Sequence, residues 1–240
     1  LLGADPTFHL TFDQRFIHPN TRLRNDAGLA VADLAYLDGA LPADHNLRAT
    51  GIVGAGALRV DANGVLFGGG APGTFAHGNG PFSLAFWAKL DAANSSMGLW
   101  IGKSDNLSRL MLRPTSVAAE FTDKADLNAT TANLVGAWQH VLLTYDGATR
   151  ILYLNGAEIG RDSIAPNTLD TAAGGLIAAG GAGYLDDVRV YRYALNAYEA
   201  KALAETGWLR ADTAQTRAAE AATTWSASVP AGLEGFYELQ

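Results

Sequence analysis

The chain has 240 residues, of which 48% are apolar and 17% charged, with 27 glycines and a formal net charge of −7. This composition argues against a disordered chain and favours short strands joined by turns, and the length suffices for one β-sandwich with its own core. The acidic net charge and the lack of a Lys/Arg cluster argue against nucleic-acid binding. The lack of a long apolar run argues against membrane insertion. The absence of cysteine excludes disulfides and thiolate chemistry.

The N-terminal quarter of the chain contains one clear strand signal. Phe8, Leu10 and Phe12 alternate with polar residues, which predicts a first strand over residues 7–13. Residues 16–50 lose all periodicity and predict a long irregular loop with a helical turn near residues 31–37. Asn63-Gly64 then predicts a hairpin turn within residues 54–67.

The central segment FSLAFWAKL has a strict period of two. Its apolar positions predict the core face of a strand; they are Phe82, Leu84, Phe86, Ala88 and Leu90. Trp87 falls on the opposite face. Further strands are predicted at GLWIGKS, SRLMLRP and VAAEFTD, with turn residues between them.

The segment WQHVLLTYDGATRILYLNGAEIG predicts a three-stranded meander. Val141, Leu143 and Tyr145 share one face of the first of these strands, and Asp146-Gly147 ends it. The next strand ends at Asn155-Gly156, the residue pair best suited to the positive φ angles of a type I′ turn.

The segment YLDDVRVY predicts the last strand, in which Asp186 shares a face with Val188 and Val190. A short helix is predicted to follow over about Ala197 to Glu205, with Asn196 as its N-cap and Glu199 in the capping-box position. We therefore expect one domain over residues 1–206. Residues 207–240 are expected to form a linker and the first strand of a following, truncated β module.

Three motifs in order carry a resemblance to a known family: W-x-H-V-x-x-T-Y-D-G, L-Y-x-N-G and L-D-D-V-R-x-Y. Over about Thr7 to Glu205 the chain resembles the laminin-G-like jelly-roll domains of the concanavalin A-like lectin/glucanase superfamily, found in large secreted bacterial proteins. The resemblance implies an all-β fold, an antiparallel two-sheet jelly-roll sandwich with a short C-terminal helix. It also implies an extracellular or cell-surface location. Such folds host lectins, adhesins, hydrolases and inert spacers alike, so function has to be argued from the site.

Carbohydrate recognition requires an aromatic platform with polar groups beside it. The best set in this sequence combines three aromatic residues with three polar ones; the predicted ligand-binding residues are Trp87, Trp100, Lys103, Asn106, Arg109 and Tyr153. Packing within or beside the core explains each aromatic residue equally well.

Catalysis has weaker support in the sequence. Glycoside hydrolysis needs two carboxylates beside the scissile bond, and the sandwich offers the glutamates Glu120 and Glu158 before its closing helix, without the E-x-D-x-E spacing of the related glucanases. The five histidines show no metal-ligand spacing, and His140 is interpreted as a packed, hydrogen-bonded structural residue. We therefore predict no enzymatic activity and no catalytic residue.

The resemblance also implies a structural calcium ion near the junction of the first and last strands. Asp13 and Asp186 are its candidate ligands, because Ca²⁺ binds carboxylate and carbonyl oxygens. The alternative is that Asp186 accepts hydrogen bonds from backbone N–H groups of a nearby loop or pairs with an arginine such as Arg15.

These observations predict a non-catalytic extracellular module for adhesion or carbohydrate recognition within a larger surface protein. Its partners would be glycans or neighbouring protein modules. Two alternatives remain open: a structural spacer or assembly module that packs on neighbouring domains, and a glycoside hydrolase-like domain.

Overall fold

The computed structural model describes residues 8–10, 51–54, 56–60, 65–67, 80–93, 95–103, 106–165, 175–180 and 183–206. The predictions for residues 16–50, the Asn63-Gly64 turn, Asp13 and residues 207–240 lie outside these ranges. In the ranges that are described, no helix is long and apolar enough to cross a membrane.

Thirteen strands and one helix make up the described part of the chain. The strands are β1 (Phe8–Leu10), β2 (Leu58–Val60), β3 (Val65–Phe67), β4 (Phe82–Leu90), β5 (Met97–Lys103), β6 (Asn106–Arg113), β7 (Ser116–Phe121), β8 (Leu127–Thr130), β9 (Trp138–Tyr145), β10 (Thr149–Leu154), β11 (Ala157–Ser163), β12 (Gly175–Gly180) and β13 (Gly183–Tyr191). The helix is α1 (Ala197–Thr206).

The strands form two antiparallel sheets. The seven-stranded sheet has the order β1-β13-β4-β9-β10-β11, with β2 also paired to β13, and the six-stranded sheet has the order β3-β12-β5-β6-β7-β8. Side chains from both sheets form one apolar core, in which Phe82 of β4 and Phe121 of β7 stack with ring centroids 5.8 Å apart. The predicted all-β, two-sheet jelly-roll sandwich with a short C-terminal helix is therefore confirmed.

The predicted alternation in β4 and β9 explains how the core is built. All five apolar positions of FSLAFWAKL are fully buried in the core, as are Val141, Leu143 and Tyr145 of β9. Burial of a large apolar side chain stabilises a fold by about 1.5–3 kcal/mol, so these two strands supply much of the driving force for folding.

The opposite face of the seven-stranded sheet carries a second, smaller apolar cluster beneath α1. Leu142 and Tyr153 of the sheet pack there with Ala200 and Leu203 of the helix. The helix begins with the predicted capping box, since the Glu199 N–H donates to Asn196 Oδ1 (2.9 Å) and the Asn196 N–H donates to Glu199 Oε2 (2.8 Å). The predicted closing helix is confirmed and extends one residue further, to Thr206.

Arg150 joins the two sheets at one edge of the sandwich. Arg150 lies on the same face of β10 as Leu152, the face that points between the two sheets. Its side chain is fully buried. Its guanidinium donates to the carbonyls of Ala119 (3.2 Å) and Ala125 (2.7 Å), pairs with Asp162, and lies 4.9 Å from the Phe121 ring centroid. All these partners together compensate the cost of burying a charge.

The structure corrects the predicted hairpin within residues 54–67. Strand β2 pairs with β13 in the seven-stranded sheet, whereas β3 pairs with β12 in the six-stranded sheet. The two strands are therefore not hydrogen-bonded to each other. Each of these three-residue strands pairs with a strand that is distant in the chain. Such pairing cannot be predicted from the turn residues between β2 and β3.

The structure also corrects the face assigned to Asp186. The register of β13 against β4 shifts between Asp186 and Arg189, and Asp187 has a φ of 49°. This bulge adds one residue, so Leu185, Val188 and Val190 enter the core while Asp186 pairs with Trp87 on the outer face. Asp186 is nevertheless completely buried.

Candidate functional site

The outer face of the six-stranded sheet carries an aromatic residue among charged ones. The alternating positions of β5, β6 and β7 explain this face, because Leu99, Leu110 and Ala119 are buried in the core and their chain neighbours point outward. We call this surface the Trp100 face; its residues are Trp100, Arg109, Met111, Arg113, Glu120 and Asn128.

Trp100, Arg109 and Glu120 form one row across three strands. Trp100 of β5 is the register partner of Arg109 of β6, which is the partner of Glu120 of β7. Trp100 is half-buried, and the Arg109 side chain is 41% exposed. Directly opposed residues of an antiparallel pair have neighbouring side chains, so this row places an indole beside a guanidinium at the surface.

Glu120 is the centre of the charge network on this face. Its Oε1 accepts a hydrogen bond from Arg113, and its Oε2 lies 3.6 Å from Arg109 Nη1. Arg113 also donates to Asn128 Oδ1 at 3.4 Å. The guanidinium groups of Arg109 and Arg113 share the Glu120 carboxylate, and this sharing orients all three side chains. The two guanidinium groups have more N–H donors than the carboxylate has acceptor oxygens. Arg109 Nε is shielded from solvent and has no hydrogen-bond partner among the described residues.

Lys103 and Asn106, two of the predicted site residues, lie at the end of the same hairpin. They are register partners in the β5–β6 ladder, but they follow the alternation of Ile101 and Ser108 and are not in the row of Trp100. The structure therefore brings together Trp100 and Arg109 and places Lys103 and Asn106 beyond them along the strands.

Tyr153 and Trp87 belong to the other sheet. Tyr153 is 2% exposed and packs beneath α1, so the structure does not support its predicted role in a ligand platform. Trp87 lies on the outer face of the seven-stranded sheet, with its ring centroid 5.2 Å from that of His140. Trp87 and Trp100 are thus on opposite sides of the sandwich and do not form one site.

His140 is a buried, neutral side chain. It is 1% exposed, and burial lowers its pKa to about 4 because desolvation disfavours the charged form. Within the part of the chain that the structure describes, neither His140 Nδ1 nor the neighbouring Trp87 Nε1 has a hydrogen-bond partner. The burial agrees with the prediction that His140 is a packed structural residue, whereas the predicted hydrogen bonding is not found at Nδ1.

Asp186 holds a loop against the β13 bulge. Its Oδ2 accepts hydrogen bonds from the N–H groups of Ile52 (2.8 Å) and Val53 (3.0 Å), and its Oδ1 accepts one from the Asp187 N–H (2.7 Å). Burial raises the pKa of Asp186 to about 7, although these N–H groups oppose the shift. Asp186 thus accepts hydrogen bonds from backbone N–H groups of a nearby loop, as the alternative to calcium binding predicts.

Asp187 is buried beside Asp186 but has charged partners. It accepts hydrogen bonds from Arg189 Nε (3.0 Å) and Nη2 (2.8 Å), and it lies 2.6 Å from His9 Nε2 of β1. Burial acts to raise the pKa of Asp187, but His9 and Arg189 outweigh it and the pKa is lowered. The ionised Asp187 carboxylate therefore links β13 to β1 through its contact with His9.

The residues that are described do not by themselves form a calcium site. Among them there is no group of three or more residues with metal-ligating side chains, and both oxygens of Asp186 already accept backbone N–H groups. Asp13 lies outside the described residues. The Asp13–Asp186 calcium site therefore stays a prediction.

The two glutamates considered for hydrolysis lie on different sheets. Glu120 belongs to β7, whereas Glu158 belongs to the edge strand β11 and pairs with Arg161. The hydrogen bond from Arg161 lowers the pKa of Glu158, which favours a carboxylate over a general acid at neutral pH. Each glutamate has an arginine partner, and the fold does not place them side by side in one sheet.

Sequence reasoning missed the polar partners of Arg109. The sequence indicates Glu120 only as a candidate catalytic carboxylate, and it does not indicate Arg113 or Asn128 as site residues. The alternation of SRLMLRP does contain a signal, because it places Arg109, Met111 and Arg113 on one face. The assignment of Glu120 to the same face requires the β6–β7 register, which only the structure provides.

A family model described as "Concanavalin A-like lectin/glucanases superfamily" matches residues 53–201. This range contains the motifs of the meander and of β13 and the first half of α1. No curated protein sequence matches the chain.

Several solved structures are similar to this chain at low sequence identity. The binding domain of Paraclostridial Mosquitocidal Protein 1 matches with a TM-score of 0.64 and 14% identity, over 85% of this chain and 52% of that one. The Botulinum Neurotoxin serotype G binding domain matches with a TM-score of 0.60 and 13% identity, over 83% and 50%. The chain therefore spans about half the length of these toxin domains.

One further structure is matched over its whole length. It is domain 4 of AbnA, a GH43 extracellular arabinanase from Geobacillus stearothermophilus, in complex with arabinotriose, with a TM-score of 0.60 and 19% identity over 85% of this chain and 100% of that one. At these identities the likenesses establish the fold.

Proposed function

The chain belongs to the concanavalin A-like lectin/glucanase superfamily, and we propose that it is a non-catalytic carbohydrate-recognition module whose ligand binds on the Trp100 face. We further propose that it acts outside the cell as part of a larger protein. Within this superfamily the fold alone does not distinguish a lectin from a hydrolase, so the proposal depends on the surface residues.

The observation that carries the proposal is the position of Trp100 opposite Arg109 on a solvent-facing sheet. A half-buried indole presents an apolar ring on which the C–H face of a sugar can stack. The neighbouring guanidinium and carboxylate groups of Arg109 and Glu120 supply donors and acceptors for sugar hydroxyls.

The charge network makes this arrangement suitable for binding. Arg109 and Arg113 are both oriented by Glu120, so part of the entropy cost of fixing these long side chains is met before a ligand arrives. The similar structures add support at the level of the fold: two are named as binding domains of toxins, and domain 4 of the arabinanase is described in complex with arabinotriose.

A glycan array tests the proposal. The wild-type chain should bind a defined set of glycans, and Trp100→Ala should weaken binding to that set about tenfold or more, because a central aromatic residue commonly contributes about 2 kcal/mol to an interface. Tyr198→Ala is the matched control, since Tyr198 is an aromatic residue of α1 that is 61% exposed and distant in the fold from the six-stranded sheet.

The outcomes separate the three functions considered. If Trp100→Ala loses glycan binding and Tyr198→Ala retains it, the result supports carbohydrate recognition on the Trp100 face. No glycan binding by the wild-type chain would favour the structural spacer, and release of reducing sugar from the bound glycan would favour the hydrolase.

A further inference from the structure

A second set of aromatic and cationic side chains lies in one row across four strands of the seven-stranded sheet. Arg59 of β2 is the register partner of Tyr184 of β13, which is in turn the partner of Lys89 of β4. Lys89 is also the partner of Trp138 of β9. We call these four residues the Trp138 row.

The Trp138 row lies on the outer face of this sheet. The chain neighbours Leu58, Leu90 and Leu185 are all fully buried in the core, so alternation directs the row outward. All four residues of the row are half-buried. Part of each side chain is therefore accessible, on the side of the sandwich opposite to the Trp100 face.

The two aromatic rings of the row approach each other across the strand that carries Lys89. Strands β9 and β13 are separated by β4, which at the usual strand spacing places them about 9–10 Å apart. The ring centroids of Trp138 and Tyr184 are only 6.5 Å apart, with an angle of 54° between the ring planes. The two rings thus lean towards each other across β4.

The two cations of the row differ in their partners. The Arg59 guanidinium lies 5.4 Å from the Tyr184 ring centroid, donates to the Tyr184 hydroxyl (2.9 Å) and lies 3.5 Å from Asp91 Oδ2. Lys89 makes no ion pair with any residue that the structure describes. Arg59 is therefore occupied, whereas Lys89, which lies between the two aromatic residues in the row, has no ion-pair partner among the described residues.

We propose that the Trp138 row binds a carbohydrate that carries a carboxylate or a sulfate group. The sugar ring contacts Trp138 and Tyr184, and the acidic group accepts a charge-assisted hydrogen bond from Lys89 Nζ. Charge complementarity within the row supports this choice, since Lys89 is a cation that pairs with no described residue and none of the four residues of the row is acidic. The site is independent of the proposed function because it lies on the other sheet.

The test uses isothermal titration calorimetry with four probes. Tetragalacturonate and a heparin-derived tetrasaccharide present carboxylate and sulfate groups on sugar rings. The methyl ester of tetragalacturonate removes the charge, and tetraglutamate carries the same charge without a sugar ring. The proteins are the wild-type chain, Lys89→Gln, Trp138→Ala and, as the control on the other face, Trp100→Ala.

We expect one of the two acidic sugars to bind the wild-type chain and Trp100→Ala equally. Lys89→Gln should weaken that binding about tenfold, as expected for loss of a hydrogen bond between charged groups. Trp138→Ala should weaken it by a similar factor while its circular dichroism spectrum remains that of the wild type. If the bound sugar is tetragalacturonate, its methyl ester should bind about tenfold more weakly than the acid.

Two groups of results would overturn the proposal. The first is that neither acidic sugar binds, or that Lys89→Gln binds as well as the wild type. The second is that tetraglutamate binds as tightly as the acidic sugar, which would assign the row to acidic peptides. Loss of binding to the acidic sugars in Trp100→Ala alone would place them on the Trp100 face and remove the second site.

Discussion

Trp100 of β5 and Arg109 of β6 are directly opposed on the solvent-facing side of the six-stranded sheet. The pair is extended by Glu120 of β7, which also binds Arg113. This short row combines an apolar ring with fixed donors and acceptors on a rigid sheet. Binding sites on strands hold their side chains more precisely than sites on loops, and we assign the function of the module to this row for that reason.

Glu120→Gln tests the role of the charge network. The substitution keeps the shape of the side chain but removes the charge that orients Arg109 and Arg113, so we expect glycan affinity to fall several-fold. Because both arginines are more than a third exposed, the free energy of unfolding should fall by no more than about 1 kcal/mol. Calorimetric titration and urea denaturation measure the two effects, and unchanged affinity would show that the network does not serve binding.

Arg150→Met tests the connection between the two sheets. The substitution leaves the carbonyls of Ala119 and Ala125 and the carboxylate of Asp162 without their donor. Loss of one partner of a buried pair costs about 3–5 kcal/mol, so we expect a fall of this order in the free energy of unfolding. Asp162→Asn should also be destabilising, because it leaves the fully buried Arg150 guanidinium without its carboxylate. Small effects of both substitutions in urea denaturation would contradict this account of Arg150.

The pH dependence of stability should depend on Asp186 and His140 with opposite signs. The folded-state pKa of His140 is lowered from 6.5 to about 4, so the unfolded chain binds more protons in this interval and His140 makes stability rise with pH. The folded-state pKa of Asp186 is raised from 3.8 to about 7, so the folded chain binds more protons and Asp186 makes stability fall as pH rises.

Single variants separate the two groups. Between about pH 4.5 and pH 6.5, we expect the stability of Asp186→Asn to rise with pH relative to the wild type and that of His140→Gln to fall relative to it. Urea denaturation of the three proteins at both pH values measures these slopes. Parallel slopes in all three would show that neither group titrates differently in the folded and unfolded chains.

Asp186→Ala tests the attachment of the loop at residues 51–54. The N–H groups of Ile52 and Val53 lose their acceptor, so their hydrogen exchange should accelerate and the free energy of unfolding should fall by about 1–3 kcal/mol. Asp186→Asn keeps one acceptor oxygen and should retain part of the protection.

The calcium prediction is tested with the same proteins: if Asp186 binds calcium, EDTA should lower the Tm of the wild type but not that of Asp186→Ala.

The sequence predicted the elements whose signals are local. The alternation of FSLAFWAKL, the Asn155-Gly156 turn and the Asn196–Glu199 capping box are each contained in a few neighbouring residues, and the structure reproduces all three. In the turn, Asn155 and Gly156 have φ angles of 51° and 80°, as a type I′ geometry requires.

The features that the sequence did not predict depend on distant partners. The strands β8 (LNAT) and β12 (GLIAAG) are short and contain Asn, Ala or Gly, so their strand structure comes from pairing with β7 and β5. The bulge at Asp187 changed the face of Asp186 without any glycine or proline to mark it. For the site, alternation placed Trp87 outward but could not show that Trp100 belongs to a different sheet.

The NMR signal of the Trp100 indole N–H, followed during titration with a neutral glycan selected on the array, tests directly whether the Trp100 face binds carbohydrate. The five tryptophan signals can be assigned by substituting each tryptophan with phenylalanine in turn. If the Trp100 face binds the glycan, the Trp100 signal should shift in a saturable manner while the Trp87 signal stays in place. Saturable shifts at Trp87 or Trp138 with an unchanged Trp100 signal would contradict this assignment.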